Sequence, residues 1–414
     1  MKVSQLYLYP IKSLRPTPLD TAVLTSVGLQ FDRRYMLLKV EPSEDGSKST
    51  LKNMHIPHYP EMGLFQTAVE FPKTKDDSGK VTVTYNPPTP QDTSDPKPRE
   101  AKYLEIPLCS MSVKHKRKVQ VMMHKSPTTG YDMGAEYNNW FSECFGFPVI
   151  LAYLGNNSRQ VLGTMAPEKR NKTPWWTIWY EALAHISNKT IILLLFWLYF
   201  LVRAVSIPIN MMIDKNLAPQ TAFPVATLVF ASWVWATHCL FVRLRRTRIS
   251  FADCAPFLVI SQASIDNVSA RLPEGEEMDH TKFRPNIVVS GADSAFEEDF
   301  WTELIVGPTK ARLLLTGNCV RCQSLNVDYQ TGSMAEGETG TVLKKLMKDR
   351  RVDRGAKFSP VFGRYSFLHW TGHGDIIRVG DEVGVVARSK ERTITGMKAQ
   401  DFFYCSTFKS GLNH

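Results

Sequence analysis

Residues 311–332 read ARLLLTGNCVRCQSLNVDYQTG. The apolar residues of ARLLLT predict a strand, and the polar residues after Cys322 carry no helical period and end in a Thr331-Gly332 turn. A CxxC pair, Cys319 and Cys322, therefore stands where a buried strand gives way to a turn. This arrangement predicts a β-rich fold with reactive chemistry at a strand end.

The CxxC pair has three interpretations: a thiol redox pair, half of a zinc site, or one metal-ligating thiolate with an unrelated neighbour. A closed zinc site needs further ligands at paired spacing, and the chain has no second CxxC. A thioredoxin-like pair opens a helix, which the residues after Cys322 do not favour. Arg321 beside Cys322 makes an electropositive setting, which lowers a thiol pKa and suits a soft metal. The third interpretation is preferred, and the other two stay open.

Strand-like patterns also occur before and after this stretch of the sequence. Residues 1–110 contain short alternating runs separated by Pro- and Gly-rich turns, such as YMLLKV, LFQTAVEF and KVTVTY, and they predict an antiparallel barrel or sandwich. Short helices are expected between Gly134 and Gly146 and over Ser264 to Arg271. Strands are expected again at Asn286 to Ser290 and from Ile376 to Ala387.

The composition limits the classes of protein. The 414 residues include 43% hydrophobic residues, which excludes a disordered or fibrous chain. Lys and Arg number 50 against 40 Asp and Glu, and the net charge of +10 favours an acidic partner, a phosphate-bearing ligand or an anionic membrane. Seven cysteines without a regular framework favour a reducing compartment.

Two apolar segments predict a two-helix transmembrane hairpin in an insert at 170–248, with spans at about 190–213 and 221–242. Basic residues flank the pair on the outside, and tryptophans stand where an interfacial belt would lie. By the positive-inside rule, the residues on both sides of the insert are expected in the cytosol. The alternative is a pair of buried core helices.

Four spaced motifs resemble one family. Residues 321–332 match the RC-x₄-VD-x₂-TG pattern of MOSC domains (molybdenum cofactor sulfurase C-terminal), and residues 283–291 match the FRPNI-x₃-G segment that precedes it. Residues 9–13 (YPIKS) and 32–35 (DRRY) resemble motifs of the β-barrel domain that accompanies MOSC domains. This combination resembles the mitochondrial amidoxime-reducing component family, which reduces N-hydroxylated compounds.

The resemblance implies a mixed, mainly β fold. It consists of an N-terminal β-barrel-like domain plus a MOSC β-barrel domain with peripheral helices, interrupted by the transmembrane hairpin. The expected boundaries are 1–160 for the N-terminal barrel domain, 170–248 for the membrane insert, 250–390 for the MOSC domain and 391–414 for a C-terminal tail.

The resemblance also implies a molybdenum cofactor, a pterin with a dithiolene pair and a phosphate. Such a group needs one protein thiolate and several cationic or N–H donors. Cys322 is the implied metal ligand and catalytic residue. The implied cofactor-binding residues are Lys12, Ser13, Arg33, Asp253, Arg284, Asn286 and Arg321. Cys319 is interpreted as a structural thiol, and His55 and His58 as surface or packing histidines.

The implied function is a molybdenum-dependent oxidoreductase that reduces N-hydroxylated (N-oxygenated) compounds. Its implied partners are a small N-hydroxylated substrate, cytochrome b5 with its reductase as electron donor, and membrane lipid, but no nucleic acid. The implied location is an integral membrane protein of the mitochondrial outer membrane or endoplasmic reticulum, with the catalytic body in the cytosol. Pyridoxal phosphate binding, a family-level property, is also implied, although residues 1–110 lack the α/β pattern of a pyridoxal phosphate domain.

Two other hypotheses remain. One is a non-catalytic molybdenum-cofactor carrier or sulfur-handling MOSC protein. The other is a structural membrane adaptor in which Cys322 is a buried free cysteine. Molybdenum content separates the adaptor from the others, and turnover separates the enzyme from the carrier.

Overall fold

The computed structural model describes residues 1–42, 49–74, 77–88, 100–109, 113, 115–161, 165–167 and 247–395. The described residues up to Pro167 and from Arg248 onward belong to one compact unit. Strands dominate this unit. In chain order they are β1 (Lys2–Leu8), β2 (Thr17–Leu19), β3 (Thr21–Thr25), β4 (Gly28–Leu29), β5 (Tyr35–Glu41), β6 (Thr50–Asn53), β7 (Phe65–Glu70), β8 (Lys80–Tyr85), β9 (Lys102–Pro107), β10 (Lys118–Met123), β11 (Ser126–Asp132), β12 (Val149–Tyr153), β13 (Arg159–Gln160), β14 (Arg248–Ile249), β15 (Phe257–Ser261), β16 (Ile287–Ser290), β17 (Trp301–Val306), β18 (Ala311–Val320), β19 (Val327–Asp328), β20 (Ser333–Met334), β21 (Val361–Leu368), β22 (Ile376–Arg378) and β23 (Val383–Arg388).

The described helices are short and lie between the strands. The α-helices are α1 (Ala135–Phe145), α2 (Gln262–Ser269) and α3 (Val342–Met347). The 3₁₀ helices are Pro60–Leu64, His280–Phe283, Glu297–Phe300, Gln323–Asn326, Thr339–Thr341 and Trp370–Gly372. Helix α1 ends at Gly146, whose φ of 75° suits glycine, and its N–H bonds to the carbonyl of Ser142. Both predicted helices are confirmed in α1 and α2.

The main sheet has eight strands in the order β2-β1-β16-β15-β21-β18-β17-β23. The sheet closes on itself between β23 and β1, because the N–H of Val3 donates to the carbonyl of Asp381 over 2.9 Å and the N–H of Val383 donates to the carbonyl of Met1 over 2.8 Å. The sheet therefore closes into a barrel. Strand β1, which is about 280 residues away from β16 along the chain, completes it.

The barrel interior is filled by the inward side chains of alternate strand positions. Val3, Leu6 and Leu8 of β1 enter this core together with Leu313 and Leu315 of β18. The opposite face of β1 is also covered, since Tyr7 packs into a second cluster. Strands from residues 1–160 and from residues 250–390 share this sheet, so the two ranges are not separate layers of the fold. The predicted domain boundaries divide the sequence only, and they stay a prediction.

Further sheets form the second β-rich part. A five-stranded sheet has the order β10-β11-β12-β5-β6, and a three-stranded sheet has the order β7-β8-β9. Their inward residues share one core with α1, in which Phe65 stacks against Phe145 with ring centroids 4.8 Å apart. The prediction of a mainly β fold with an N-terminal barrel-like part is confirmed.

Strands β13 and β14 bring together the two chain segments that flank residues 168–246. Gln160 pairs with Arg248, and Arg159 pairs with Ile249. The guanidinium of Arg159 is buried and donates to the carbonyls of Ser250 and Asp253 over 3.2 and 3.1 Å. This pairing fixes the backbone just before the eight-stranded barrel resumes.

The predicted transmembrane hairpin needs correction. None of the helices among the described residues is long and apolar enough to cross a membrane. The longest, α1, has 11 residues, and at 1.5 Å per residue it reaches about 16 Å, roughly half of a hydrocarbon core. The two spans at about 190–213 and 221–242 lie outside the described residues. The hairpin as part of the fold, and the integral-membrane location inferred from it, are therefore wrong as predicted.

Candidate functional site

Cys322 lies where the chain leaves the barrel. Strand β18 ends at Val320, and the N–H of Arg321 then donates to the carbonyl of Pro360 over 2.8 Å. Cys322 immediately precedes the 3₁₀ helix Gln323–Asn326 and is half-buried, with its Sγ 3.3 Å from the hydroxyl of Ser324. The predicted strand and turn are both present, and the turn begins as a 3₁₀ helix.

The guanidinium of Arg321 faces the two cysteines. Its Nη1 donates to Sγ of the buried Cys319 over 2.9 Å, and its Nη2 donates to the carbonyl of Lys282 over 3.3 Å. Burial opposes the charge of this guanidinium, but negative charge on Cys319 and Cys322 raises the pKa of Arg321. The guanidinium of Arg321 therefore places a buried positive charge beside the CxxC pair.

Two further arginines stack on one buried tyrosine. Cζ of Arg284 lies 4.4 Å from the ring centroid of Tyr9, and Cζ of Arg33 lies 4.7 Å from it. Nη1 of Arg33 donates to Oδ1 of Asn286 over 3.1 Å, and the same guanidinium forms an ion pair with Asp32. The structure thus brings together three of the predicted cofactor-binding residues, which come from sequence positions about 250 residues apart.

Backbone strain marks the same residues. Ser13, Arg33 and Arg284 have positive φ angles of 70°, 50° and 58°. Residues other than glycine seldom have positive φ angles, and those that do are concentrated at functional sites. Ser13 is also buried, directly after Lys12.

Lys12 and Asp253 form an ion pair beside this cluster, and Nε2 of His124 lies 3.5 Å from Oδ1 of the same carboxylate. Burial lowers the pKa of Lys12, and Asp253 opposes that shift. The protein around Asp253 desolvates its carboxyl group, yet the charge of Lys12 and the contact with His124 hold the pKa of Asp253 well below its usual range. Because the Asp253 side chain remains half exposed, this site borders solvent.

Several buried polar atoms in the cluster lack a hydrogen-bond partner among the described residues. They include Nη2 of Arg284, Nε of Arg321 and the hydroxyl of Tyr9. Buried donors are normally satisfied in folded proteins. Two of these three are guanidinium N–H donors, so the residues fit an anionic group such as the phosphate of a pterin cofactor.

The metal-binding chemistry depends on a single side chain. Among the described residues, no three His, Cys, Asp or Glu side chains converge as metal ligands. A single thiolate at Cys322 fits a cofactor that brings its own sulfur ligands, as a dithiolene does. The roles predicted for Cys322 and for the seven cofactor-binding residues stay predictions, which this geometry supports.

The sequence reasoning missed two neighbours of the site. Tyr9 lay in a quoted motif without a role, because stacking by residues distant in the chain leaves no local pattern. His124 occupies, with Lys125, the two-residue turn between β10 and β11, where both residues have positive φ. Two alternating runs separated by two residues could have indicated the hairpin, but not the approach of His124 to Asp253.

Comparison with known proteins agrees with the motifs. Residues 1–148 match the MOSC N-terminal beta barrel domain family, and residues 246–384 match the MOSC domain family. The mitochondrial amidoxime reducing component 2 of Rattus norvegicus is 38% identical over 141 residues, which is 34% of this chain and 39% of that protein. The mitochondrial amidoxime-reducing component 1 of Homo sapiens is 36% identical over 142 residues, 33% of this chain and 39% of that protein.

A plant protein shows a weaker likeness. The molybdenum cofactor sulfurase of Oryza sativa subsp. japonica is 30% identical over 126 residues, which is 27% of this chain and 15% of that protein. The chain therefore matches less than half the length of each of these relatives. Both domain families, in contrast, are matched in the expected order. The chain is a MOSC-domain protein that carries a MOSC N-terminal β-barrel domain, and over about a third of its length it is similar to the mitochondrial amidoxime-reducing components.

Proposed function

We propose that this protein binds the molybdenum cofactor and reduces N-hydroxylated compounds. The observation that carries the proposal is the position of Cys322, a half-buried thiol beside a buried arginine cluster, some of whose donors have no partner among the described residues. A reactive thiol needs an electropositive setting, and an anionic pterin needs donors without partners. The similarity to amidoxime-reducing components supports the choice of reaction.

The arginines and their neighbours would hold the cofactor. Arg284 and Arg321 would donate to the phosphate or pterin the N–H groups that find no partner in the described part of the chain. Asn286 would act indirectly, because its side chain accepts from Arg33 and donates to the carbonyl of Tyr7 over 3.2 Å. The remaining predicted contacts come from Lys12, Ser13 and Asp253.

Cys322 would be the metal ligand, with the positive charge of Arg321 close to it. When bound, the cofactor supplies the two-electron redox chemistry of molybdenum. Because the Asp253 side chain is half exposed, solvent reaches this edge of the cluster, and a small substrate would approach from there. In the overall reaction, two electrons and two protons convert an N–OH group into N–H and water.

The electrons would come from a one-electron redox protein. Cytochrome b5 with its reductase is the donor implied by the family resemblance, and it stays a prediction. The net charge of +10 is compatible with an acidic protein of this kind.

The test uses the full chain expressed in a host that makes molybdenum cofactor. We expect bound molybdenum by elemental analysis, and turnover of a hydroxylated amidine with a chemically reduced one-electron donor. The Cys322→Ser variant should lose turnover, whereas Cys109→Ser, at a half-buried cysteine outside the cluster, should retain it. Wild-type protein without molybdenum after such expression would contradict the proposal.

A second candidate is a cofactor carrier without turnover. The similarity to the rice molybdenum cofactor sulfurase favours it. The two candidates differ in one result, because a carrier would bind molybdenum at full occupancy and release the cofactor to an acceptor apo-enzyme without reducing the amidine.

A further inference from the structure

The chain stays attached to the described unit after its last strand. Residues 389–395, which we call the strap, follow β23, overlap the predicted C-terminal tail and lie beyond the residues that match the MOSC family. The N–H of Ser389 donates to the carbonyl of Phe300 over 2.8 Å. Nε of Arg392 donates to the buried carboxylate of Asp299 over 2.9 Å. These two contacts fix the strap to the 3₁₀ helix that precedes β17.

The end of the strap meets a buried carboxylate. Asp353 is 1% exposed, and its Oδ2 accepts from Oγ1 of Thr395 over 2.6 Å. Its Oδ1 accepts from the N–H of Thr395 over 3.0 Å and from the N–H of Gly355 over 2.8 Å. The packing is close, because a Cβ at Gly355 would come within 2.0 Å of the carbonyl oxygen of Thr395. Thr395 therefore supplies two of the donors that this buried carboxylate needs.

Asn318 of β18 joins the same carboxylate to the strap. Its Nδ2 donates to Oδ2 of Asp353 over 2.8 Å and to the carbonyl of Thr393 over 2.7 Å. Its Oδ1 accepts from Nη1 of Arg364, and Nη2 of that guanidinium donates to Oγ1 of Thr393 over 2.9 Å. Because Asn318 and Arg364 are buried, their polar atoms depend on the strap for partners.

Two connections lead from this network to the CxxC segment. Along β18, Asn318 is followed directly by Cys319, whose Sγ accepts from Nη1 of Arg321 over 2.9 Å. Along the loop after α3, Asp353 comes shortly before Pro360, whose carbonyl accepts from the N–H of Arg321 over 2.8 Å. Both connections end at Arg321, the residue before the implied metal ligand.

The strand ladder is irregular at this point. The register between β18 and β21 shifts between Asn318 and Val320. A bulge of this kind locally disrupts the hydrogen bonds of the ladder. The side-chain hydrogen bonds of Asn318 therefore have a larger share in holding the backbone just before the CxxC segment ends.

We propose that Thr393 and Thr395 of the strap position the CxxC segment for the cofactor, acting through Asn318 and Asp353. A metal ligand and its neighbouring donors have to be held within about 0.5 Å of the productive geometry by side chains that are themselves fixed. The inference rests on the proposed function, since it gives a purpose to the fixed place of Arg321 in that site. Both threonines are positioning residues rather than ligands.

The test uses two substitutions of one strap residue. Thr395→Val keeps the shape of the side chain and removes the donor to Asp353, and Thr395→Ser restores that donor. The matched control is Thr17→Val, because Thr17 and Thr395 are 8% and 6% exposed and the hydroxyl of Thr17 donates to the carbonyl of Thr67 over 2.8 Å. The control therefore measures the general cost of losing a buried threonine hydroxyl.

The first readout is the alkylation of Cys319 by iodoacetamide in the folded, cofactor-free full chain. Cys319 is 3% exposed, so it reacts only when the CxxC segment opens. Removing one donor from a buried carboxylate favours that opening, and we expect Thr395→Val to raise the alkylation rate of Cys319 about 10-fold. Thr395→Ser and Thr17→Val should react like the wild type.

This readout separates positioning from general stability. Trypsin cleaves after Arg321, so mass spectrometry measures the two cysteines of the motif in separate peptides. If Cys319 became reactive only through global unfolding, its rate would follow the unfolding free energy measured with denaturant. Thr17→Val would then raise the rate as much as Thr395→Val does at equal stability. A local change raises the rate in Thr395→Val alone.

The second readout concerns the cofactor-loaded full chain. Thr395→Val should change the electron paramagnetic resonance spectrum of the bound molybdenum, because the geometry of its thiolate ligand changes. A displacement of about 1 Å can cost up to about 100-fold in rate, so kcat should fall while KM stays unchanged. Thr395→Ser should restore both the spectrum and kcat, and Thr17→Val should alter neither.

The outcomes are distinguishable. Wild-type alkylation of Cys319 in Thr395→Val, or equal rates in Thr395→Val and Thr17→Val, would overturn the positioning role. A wild-type protein without molybdenum would overturn the proposed function, whereas the alkylation rates would still decide whether the strap holds the CxxC segment. Should Thr395→Val fail to fold, Thr393→Val takes its place in both measurements, since it removes only the acceptor of Arg364 and keeps the backbone carbonyl.

Discussion

Nη1 of Arg321 donates a hydrogen bond of 2.9 Å to Sγ of Cys319. Cys322, in contrast, is half-buried beside Ser324. The two cysteines of the CxxC motif therefore have different environments: one is a buried partner of the arginine, and the other borders the cluster. This difference favours a single-thiolate site over a paired-thiol mechanism.

The first prediction separates the two cysteines. Cys322→Ser should abolish turnover and leave the fold intact. Cys319→Ser should retain most activity, because its hydroxyl still accepts from Arg321, whereas Cys319→Ala leaves the guanidinium without that acceptor and should reduce molybdenum occupancy. Elemental analysis measures the molybdenum occupancy of the three variants, and steady-state kinetics measure their turnover. Equal loss of activity from both serine variants would instead support a paired-thiol mechanism.

The second prediction concerns Arg284. A charge-assisted hydrogen bond contributes roughly 1.5–3 kcal/mol, so Arg284→Ala should weaken cofactor binding by about 10- to 100-fold. Thermal stability of the cofactor-free protein should change less. The control is Arg271→Ala, since Arg271 pairs with Asp349 at the surface. Full molybdenum occupancy in Arg284→Ala at limiting cofactor would exclude the role.

The third prediction tests whether the hydroxyl of Tyr9 is reserved for a ligand. Because this buried hydroxyl lacks a partner among the described residues, Tyr9→Phe should leave the unfolding free energy of the cofactor-free protein unchanged or slightly higher. Cofactor occupancy should fall. Tyr9→Ala should lower both the unfolding free energy and the cofactor occupancy. The ring supports two guanidiniums, and a core cavity costs about 3–5 kcal/mol. Denaturant unfolding and molybdenum analysis are the measurements.

The fourth prediction is a pH dependence of stability caused by Glu298. Its side chain is fully buried, and Ser264 donates to Oε2 over 2.8 Å. Burial raises the pKa of Glu298 from 4.5 to about 7. Between these values the folded state holds a proton that the unfolded state has released, so the contribution of Glu298 to stability is largest below pH 4.5 and is lost as the pH rises to about 7.

The expected loss from this group is about 3 kcal/mol at 1.36 kcal/mol per pH unit. Glu298→Gln keeps the acceptor for Ser264 and cannot ionise, so its unfolding free energy should decline less between pH 5 and pH 7. Denaturant titrations of both proteins at each pH measure the difference. Parallel pH profiles for wild type and Glu298→Gln would contradict the prediction.

The fifth prediction follows from the pairing of β13 with β14. Because Gln160 and Arg248 are opposite each other, strands β13 and β14 hold together the chain on either side of residues 168–246. Replacing them with about eight Gly/Ser residues, which span about 16 Å, should preserve folding and molybdenum binding. Met165 must be retained, since its carbonyl accepts from Thr316 over 2.6 Å. Circular dichroism measures the folding of the shortened chain, and elemental analysis measures its molybdenum. An unfolded product would contradict the prediction.

Local patterns predicted the local structure well. The apolar residues of ARLLLT predicted strand β18, and the glycines at 134 and 146 marked the ends of α1. The residues 376–387, expected as strand, instead form β22 and β23 on either side of a turn at Gly380, which has a φ of 92°. A single glycine within an apolar run marks such a turn only weakly.

Contacts between residues that are far apart in the chain could not be predicted from local sequence patterns. The closure of the barrel by β1, the stacking on Tyr9 and the contact of His124 with Asp253 all depend on the tertiary fold. The motif resemblance placed Cys322, Arg284 and Arg33 in one group despite their separation, because it carried information that periodicity lacks. The hairpin prediction failed as stated because it rested on apolar length and flanking charge alone.

The closure of the barrel by β1 has a consequence for biosynthesis. At about 5–20 residues per second, a ribosome that has made β1 takes roughly 15 to 60 s to make its partner β16. During that time the strand exposes unpaired N–H and C=O groups and the apolar side chains of Val3, Leu6 and Leu8, a combination that invites aggregation. Strand β1 therefore lacks this partner during most of the synthesis of the chain, so a chaperone that covers it would favour folding.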